Sequence, residues 1–417
     1  MPPRSSFDRR AFLRAAGGLA ALGALGACGS NTGRGGGGSG DLTQYFHAYG
    51  EEGTQQAIKR YAKAFGKADV RTQWITGSNF ESKLFSALLS SDAPDVFEFH
   101  PQIQLVKAEQ IVPLDDIIEP VKDDFVEADL TSHTMDGKIW GVRMIDDPKF
   151  LYYRKSLLDK AGLKPPGTLD ELVEASRKLT TDKVKGLFLG NNLVDVARPL
   201  IWGSGADLLT EKNEIAYHTD AFAATLGTMR TLFKSGSLLL DAPADYWDPS
   251  AFNQGLAAMQ WCGMWAMPAM QKAHGDDIGI IPFPQCADAG GPSLINGGWS
   301  MFVSAKAKDV DLAKEYVKWL WIDQTEYQED WALNYGFHIP PRKSIAAKAD
   351  KLKTGLAAEG VELAGKYGRF DNPHWTQAMI TAVEKVIADA VRSGMAPEAA
   401  LDKCDKTVNR ELTSLFG

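Results

Sequence analysis

Residues 42–99 read LTQYFHAYGEEGTQQAIKRYAKAFGKADVRTQWITGSNFESKLFSALLSSDAPDVFEF. Leu42 to Tyr49 is expected to be a first strand. Gly53 to Gly66 places Ile58, Tyr61, Ala62 and Phe65 on one helical face. Val70 to Ile75 alternates as a strand does. Ser78-Asn79-Phe80-Glu81 matches a capping box opening a helix that carries Phe80, Leu84, Leu88 and Leu89. Pro94 to Phe99 is a short apolar strand. This βαβαβ rhythm predicts an α/β fold with a mainly parallel sheet flanked by helices. The alternation continues further along the chain. Thr168-Leu169-Asp170-Glu171 is a second capping box, starting a helix through Leu179. Ile278 to Phe283 and Ser300 to Ser304 read as strands. Asp311 to Trp321 reads as a helix with Leu312, Ala313, Tyr316, Val317 and Leu320 inward, and the tail from Pro373 to Phe416 as largely helical. No internal repeat is visible.

The N-terminus carries a different signal. Arg9-Arg10, with Phe12-Leu13 following, resembles a twin-arginine export signal, which implies folding before export. The apolar run Ala15 to Ala27 is too short for a membrane span, which needs about 20 residues, but fits a signal-peptide core. It ends in Leu25-Gly26-Ala27-Cys28, which resembles a bacterial lipobox; the resemblance implies cleavage before Cys28 and lipid attachment to its sulfur. Gly29 to Gly40 is nearly all Gly, Ser, Asn and Thr, a composition that cannot bury a core and is expected to act as a flexible tether. The expected division is therefore a signal peptide over 1–27, a tether over 28–40 and a body from residue 41, anchored to a membrane rather than spanning it.

Composition bounds what the body does. Residues 1–27 hold four Arg and one Asp, so their removal moves the formal net charge from −8 to −11. That acidic balance argues against nucleic acid as a partner, since phosphates call for a Lys/Arg surface. The seven His are scattered without metal-ligand spacing, so no metal and no cofactor is expected. With Cys28 as the anchor, Cys262, Cys286 and Cys404 remain. Cys262 and Cys286 lie on neighbouring strand-like segments and are the first candidates for a disulfide; three free thiols are the alternative.

The body resembles family 1 extracellular solute-binding proteins, the maltose-type class that serves ABC importers. Ala93-Pro94-Asp95-Val96, the Asp136-Gly137-Lys138-Ile139-Trp140-Gly141-Val142 hairpin and Leu151-Tyr152-Tyr153-Arg154-Lys155 are similar to its motifs. The last continues through Lys160-Ala161-Gly162-Leu163, Pro166 and Thr168 to Leu172. Phe252 to Trp265, Gly297-Gly298-Trp299 and Gly336 to Ser344 complete the series in the family's order. Arg143 stands where Pro is usual, and Arg154 replaces the common Asn. The resemblance implies a two-lobe periplasmic-binding-protein-like fold of type II, with mixed sheets flanked by helices and a ligand cleft between lobes. Lobe 1 is expected at 41–149 plus 297–344, and lobe 2 at 150–296 plus 345–417. It also implies a monomer that binds a small-molecule sugar and delivers it to an importer's membrane subunits.

A sugar site combines flat apolar surfaces with a few placed polar groups, and Trp offers both area and an N–H. Trp299, beside Gly298 at the crossing between lobes, is the first candidate for stacking. Trp265, Trp202 and Trp247, near glycines or turns, follow it. Trp319, Trp321 and Trp331 read as helix packing, Trp74 and Trp261 as core, and Trp140 as part of the hairpin. Asp146 or Asp147 is expected to accept ligand hydroxyls. Glu98 and His100 end a strand where open α/β sheets place ligands, and Arg342 is a further candidate. Within the same fold, a polyol phosphate or glycerol phosphodiester would call for a cationic cleft, which Arg143, Arg154 and Arg342 would supply. A secreted glycosidase would need two carboxylates flanking the bond, nominally Glu98 and Asp147, but no catalytic motif is present. A ligand-sensing lipoprotein would use the same fold.

Overall fold

The computed structural model describes residues 40–417. The export signal, Cys28 and the tether up to residue 39 lie outside the described residues. The strands are β1 (Gly40–His47), β2 (Ala68–Ile75), β3 (Val96–Phe99), β4 (Thr134–Met135), β5 (Lys138–Ile139), β6 (Val142–Arg154), β7 (Lys185–Phe188), β8 (Ala257–Gly263), β9 (Ile278–Ile281), β10 (Leu294–Val303) and β11 (Gly368–Arg369). The main sheet runs β2-β1-β3-β10-β6-β8-β7, with β11 on β10 and β9 on β6. β4 and β5 form the expected hairpin, closed by Asp136 and Gly137 at φ 49° and 73°.

The opening βαβαβ unit forms as read. β1 pairs in parallel with β2 and β3, and the helix Thr54–Ala64 buries Ala57, Ile58, Tyr61 and Ala62. The sheet is nevertheless mixed, because β10 runs antiparallel to both β3 and β6. β6 carries the sheet across the molecule. Its first half, Val142 to Pro148, pairs with β10; from Lys149 onward it pairs with β8, and from Leu151 with β9.

Local structure departs from the sequence reading at three points. The second helix starts at Gly77 with Thr76 in the cap position and no side-chain cap, so position 78 falls inside the helix and not at its cap. Phe80, Leu84 and Leu88 are buried there, while Leu89 is 75% exposed. β10 begins six residues earlier than Ser300. Asn296-Gly297-Gly298 resembles a turn in isolation, but the ladder to β6 holds it extended, with an irregularity between Trp299 and Ser300. Cys262, Cys286 and Cys404 are all free thiols. Cys286 packs at the end of the Ala197–Gly203 helix, its N–H donating to the Gly203 carbonyl at 2.8 Å, away from the buried Cys262. The Thr168 capping box, by contrast, forms in both directions on the helix Leu169–Leu179.

Candidate ligand cleft

The site is built first from strand ends. β1 and β3 are parallel, so both finish at one edge of the sheet, where the loops beyond them are free to line a cleft. Glu98, fully buried on β3, accepts hydrogen bonds from the His47 backbone N–H, from His47 Nδ1 at 2.6 Å and from the Tyr49 hydroxyl at 2.8 Å. Burial and that carboxylate together push the Tyr49 hydroxyl well above its ordinary pKa. The Trp299 indole lies 4.0 Å from His47 at 23° and 4.4 Å from His100 at 32°. Tyr45 is level with Phe97, so His47 comes level with Phe99. Both imidazoles therefore stand at this strand end, where they pack on the indole. Trp299, expected to stack on ligand, is half-buried and packs against two imidazoles, with Phe80 edge-on 5.9 Å away.

The crossing strand β6 supplies the next group. Arg143 Nε lies 3.0 Å from Asp129 Oδ1 and 3.1 Å from Asp146 Oδ1, all three residues being buried. Burial raises the Asp146 pKa well above the carboxylate range, Asp129 adds to the rise, and Arg143 only partly offsets it. Asp147 is bonded to His338 Nδ1, and His338 Nε2 lies 3.3 Å from Glu51 Oε1. Burial alone would discharge this imidazole, but Asp147 and Glu51 outweigh it and hold the His338 pKa up at about 10. Both carboxylates thus have an internal cationic partner, Asp146 in Arg143 and Asp147 in His338.

A second wall comes from the C-terminal half of β6 and its neighbours. Lys149 Nζ lies 2.6 Å from Asp195 Oδ1 and 3.2 Å from the Tyr246 hydroxyl, and Trp261 Nε1 donates to Asp195 Oδ2 at 2.7 Å. Arg198 is ion-paired with Asp371. The segment that starts at the last residue of β11 carries three successive contacts: Arg369 lies 5.0 Å over the Trp202 ring, Phe370 lies 5.4 Å under Arg143, and Asp371 meets Arg198. The pKa of His100 responds to Asp371, Arg143 and Arg198, and the Ile103 N–H reaches the Pro373 carbonyl at 2.7 Å. The end of β3 and this segment therefore share one neighbourhood.

Residues 47–321 match the sequence profile of bacterial extracellular solute-binding proteins. The chain belongs to that family. The solute-binding protein is 26% identical over 384 residues to the diacetylchitobiose binding protein DasA of Streptomyces coelicolor, covering 86% of each chain. It is 25% identical over 249 residues to an arabinooligosaccharide-binding protein of Halalkalibacterium halodurans, covering 57% of this chain and 55% of that one. Among solved structures, a Thermotoga lettingae solute-binding protein bound to α-D-tagatose superposes with a TM-score of 0.77 at 17% identity, over 90% of this chain and all of the other. Maltose-bound MalE3 of T. maritima gives 0.76 at 22% identity, over 89% of this chain and all of the other. These likenesses carry the fold, that of the two-lobe periplasmic binding proteins, and family membership makes this an exported protein.

Other expected site residues of the solute-binding protein are held in internal contacts. Gly298 is buried, and its carbonyl accepts from His100 Nδ1 at 2.9 Å. Trp202 is buried under Arg369, and its Nε1 lies 3.2 Å from Asp207. Trp265 lies against Gly263, where a Cβ would run into the ring, and donates from Nε1 to the Trp247 carbonyl at 2.9 Å. Trp247 is 47% exposed. Arg342 Nε bonds Asp124 at 2.8 Å and Nη1 the Ile322 carbonyl at 2.6 Å, so its guanidinium ties the Asp124 turn to the segment after β10. The residues that sequence reasoning missed are His338, Lys149, Asp195, Arg198, Tyr246 and Asp371. Two of these had a local signal: Lys149 stands next to the Asp146-Asp147 pair on the crossing strand, and His338 lies inside the Gly336 to Ser344 motif. Away from the cleft, His218 bonds Asp405 at 2.6 Å and Glu398 at 3.1 Å, so both its ring nitrogens face carboxylates.

Proposed function

We propose that this chain captures a di- or oligosaccharide outside the cytoplasmic membrane and delivers it to the membrane subunits of an ABC importer. The observation that carries this reading is the family match over residues 47–321, joined to relatives named for arabinooligosaccharide and diacetylchitobiose binding. Lobe 1 is 41–149 plus 297–344 and lobe 2 is 150–296 plus 345–417; the change of partner along β6 at Lys149 supports the first boundary. Ligand contacts to both lobes favour the closed arrangement over the open one. The protein acts as a monomer without catalysis, tethered through an acylated Cys28 after twin-arginine export.

The charge arrangement favours a neutral ligand over a polyol phosphate. Arg143 pairs with Asp129 and Asp146, Arg154 with Asp277 at 2.7 Å, and Arg342 with Asp124 at 2.8 Å. Each arginine invoked for a phosphate already has a carboxylate partner. The cations of the second wall, Lys149 and Arg198, are likewise paired. Such fixed pairs offer donors and acceptors to hydroxyl groups while the net charge stays balanced, and Tyr246 and the half-exposed Trp247 add ring surface. A thermal-shift screen of the chain against neutral saccharides, glycerol phosphodiesters and amino acids tests this. A rise in melting temperature confined to saccharides is expected, and a rise confined to the phosphodiesters would overturn it.

A further inference from the structure

We infer that His100 presents a bare ring nitrogen, Nε2, to the cleft as a hydrogen-bond acceptor, and that this atom selects a ligand hydroxyl over a ligand acid group at this wall. The inference rests on the saccharide reading above and narrows it to ligands without a carboxylate, sulfate or phosphate at this position.

The tautomer follows from geometry. His100 Nδ1 lies 2.9 Å from the Gly298 carbonyl oxygen. A carbonyl only accepts, so Nδ1 carries the proton and, in the neutral ring, Nε2 carries the lone pair. The ring is fixed in that orientation. Trp299 covers one side at 4.4 Å and 32°, and Phe99 lies 5.6 Å away. Turning it over would break the bond to Gly298. That carbonyl is itself immobile, because Gly298 sits in the β10–β6 ladder opposite Asp146. Among the described residues, no hydrogen bond reaches Nε2.

The charge state agrees with this. Burial holds the imidazole neutral, with its pKa lowered to about 4; Arg143 and Arg198 add to the effect, and Asp371 and the Gly298 carbonyl oppose it. The neighbouring guanidiniums do not compensate an incoming anion, since Arg143 is bound to Asp129 and Asp146 and Arg198 to Asp371. A hydroxyl brings the donor that Nε2 lacks. A carboxylate, sulfate or phosphate ester brings only lone pairs and would leave two acceptors facing each other. Sites built to pair one polar group discriminate strongly against an analogue that cannot complete the pair.

The test has two arms on the full chain. First, ¹⁵N NMR of the histidine-labelled protein reads the tautomer without any ligand. The expected result for His100 is a protonated Nδ1 and an unprotonated Nε2 at pH 7; a protonated Nε2 overturns the inference. Second, calorimetric titration compares matched probes: maltose, cellobiose and diacetylchitobiose, each against its uronic acid counterpart, in which a C6 hydroxymethyl is a carboxylate and the ring stays closed. Wild type should bind at least one neutral member about tenfold or more tightly than its acid. His100→Phe should lose about tenfold on the neutral sugar, whereas His100→Asn, which both donates and accepts, should keep neutral binding and narrow the gap to the acid. Equal binding of acid and neutral forms by wild type, or unchanged neutral affinity in His100→Phe, would overturn the selection. A panel in which no saccharide binds overturns the saccharide reading itself and the selection with it, leaving the NMR arm to judge the tautomer alone.

Discussion

His338, itself buried, bridges Asp147 on the crossing strand and Glu51 in the loop after β1, with little of any of the three side chains reaching water. Removing one member of such a buried charged group leaves the others unpaired, so His338→Gln is expected to lower stability by about 3–5 kcal/mol, measured by urea unfolding. The pH dependence has a defined sign. The folded pKa of about 10 lies above the unfolded value of 6.5, so the stabilisation is complete below pH 6.5 and is lost as pH rises through 10. His100 and His133 behave oppositely: burial lowers them to about 4 and 3, so stability falls as pH drops below 6.5. Histidine linkage therefore predicts a stability maximum near pH 6.5. In unfolding series across pH 5–10, His338→Gln should flatten the alkaline limb and leave the acid limb in place. Asp146 and Asp147 were legible as special residues because they stand at the crossing after a recognisable hairpin. Their partners were not legible. His338 lies 191 positions from Asp147, and no local pattern announces a pairing made only by the fold.

At the level of elements, strands and helices with strong periodicity were readable, and the failures fall where tertiary pairing overrides local preference. The Thr168 capping box satisfies two orphan N–H groups at once. Thr168→Ala is expected to cost about 1 kcal/mol, seen as a lowered denaturation midpoint with an unchanged slope. The first capping box was misread because Thr76, one residue before Gly77, takes the cap position. β10 shows the override most clearly. Gly298 has φ +130°, and a Cβ there would run into the Ile145 carbonyl oxygen, so glycine permits the close approach to β6 rather than a turn. Gly298→Ala should disrupt the β10–β6 ladder and displace the carbonyl that orients His100. The expected outcome is a loss of both stability and ligand affinity, read by unfolding and by titration of the same preparation. If affinity falls and stability does not, the glycine serves the ligand directly instead of the ladder.

Across the whole molecule, the two-lobe architecture was legible through the order of motifs, whereas the pairing of polar residues around the candidate cleft was not. Lys149–Asp195 and Arg198–Asp371 join positions far apart in sequence, and the segment Arg369-Phe370-Asp371 lies beyond the last recognised motif. The residues most visible in the sequence, Trp299, Glu98 and Asp147, turn out to be engaged with one another's neighbours. The ion pairs beside them are created only by the assembled fold. A ligand that binds only the folded state stabilises it by about 2.7 kcal/mol at a hundred times its dissociation constant. The most direct measurement is a melting-temperature series against neutral di- and oligosaccharides, with glycerol phosphodiesters and chromogenic glycosides in parallel. A saturable rise with at least one neutral saccharide, accompanied by a change in tryptophan emission and no glycoside turnover, is the predicted result. Stabilisation by the phosphodiesters alone, or turnover of a glycoside, would contradict it.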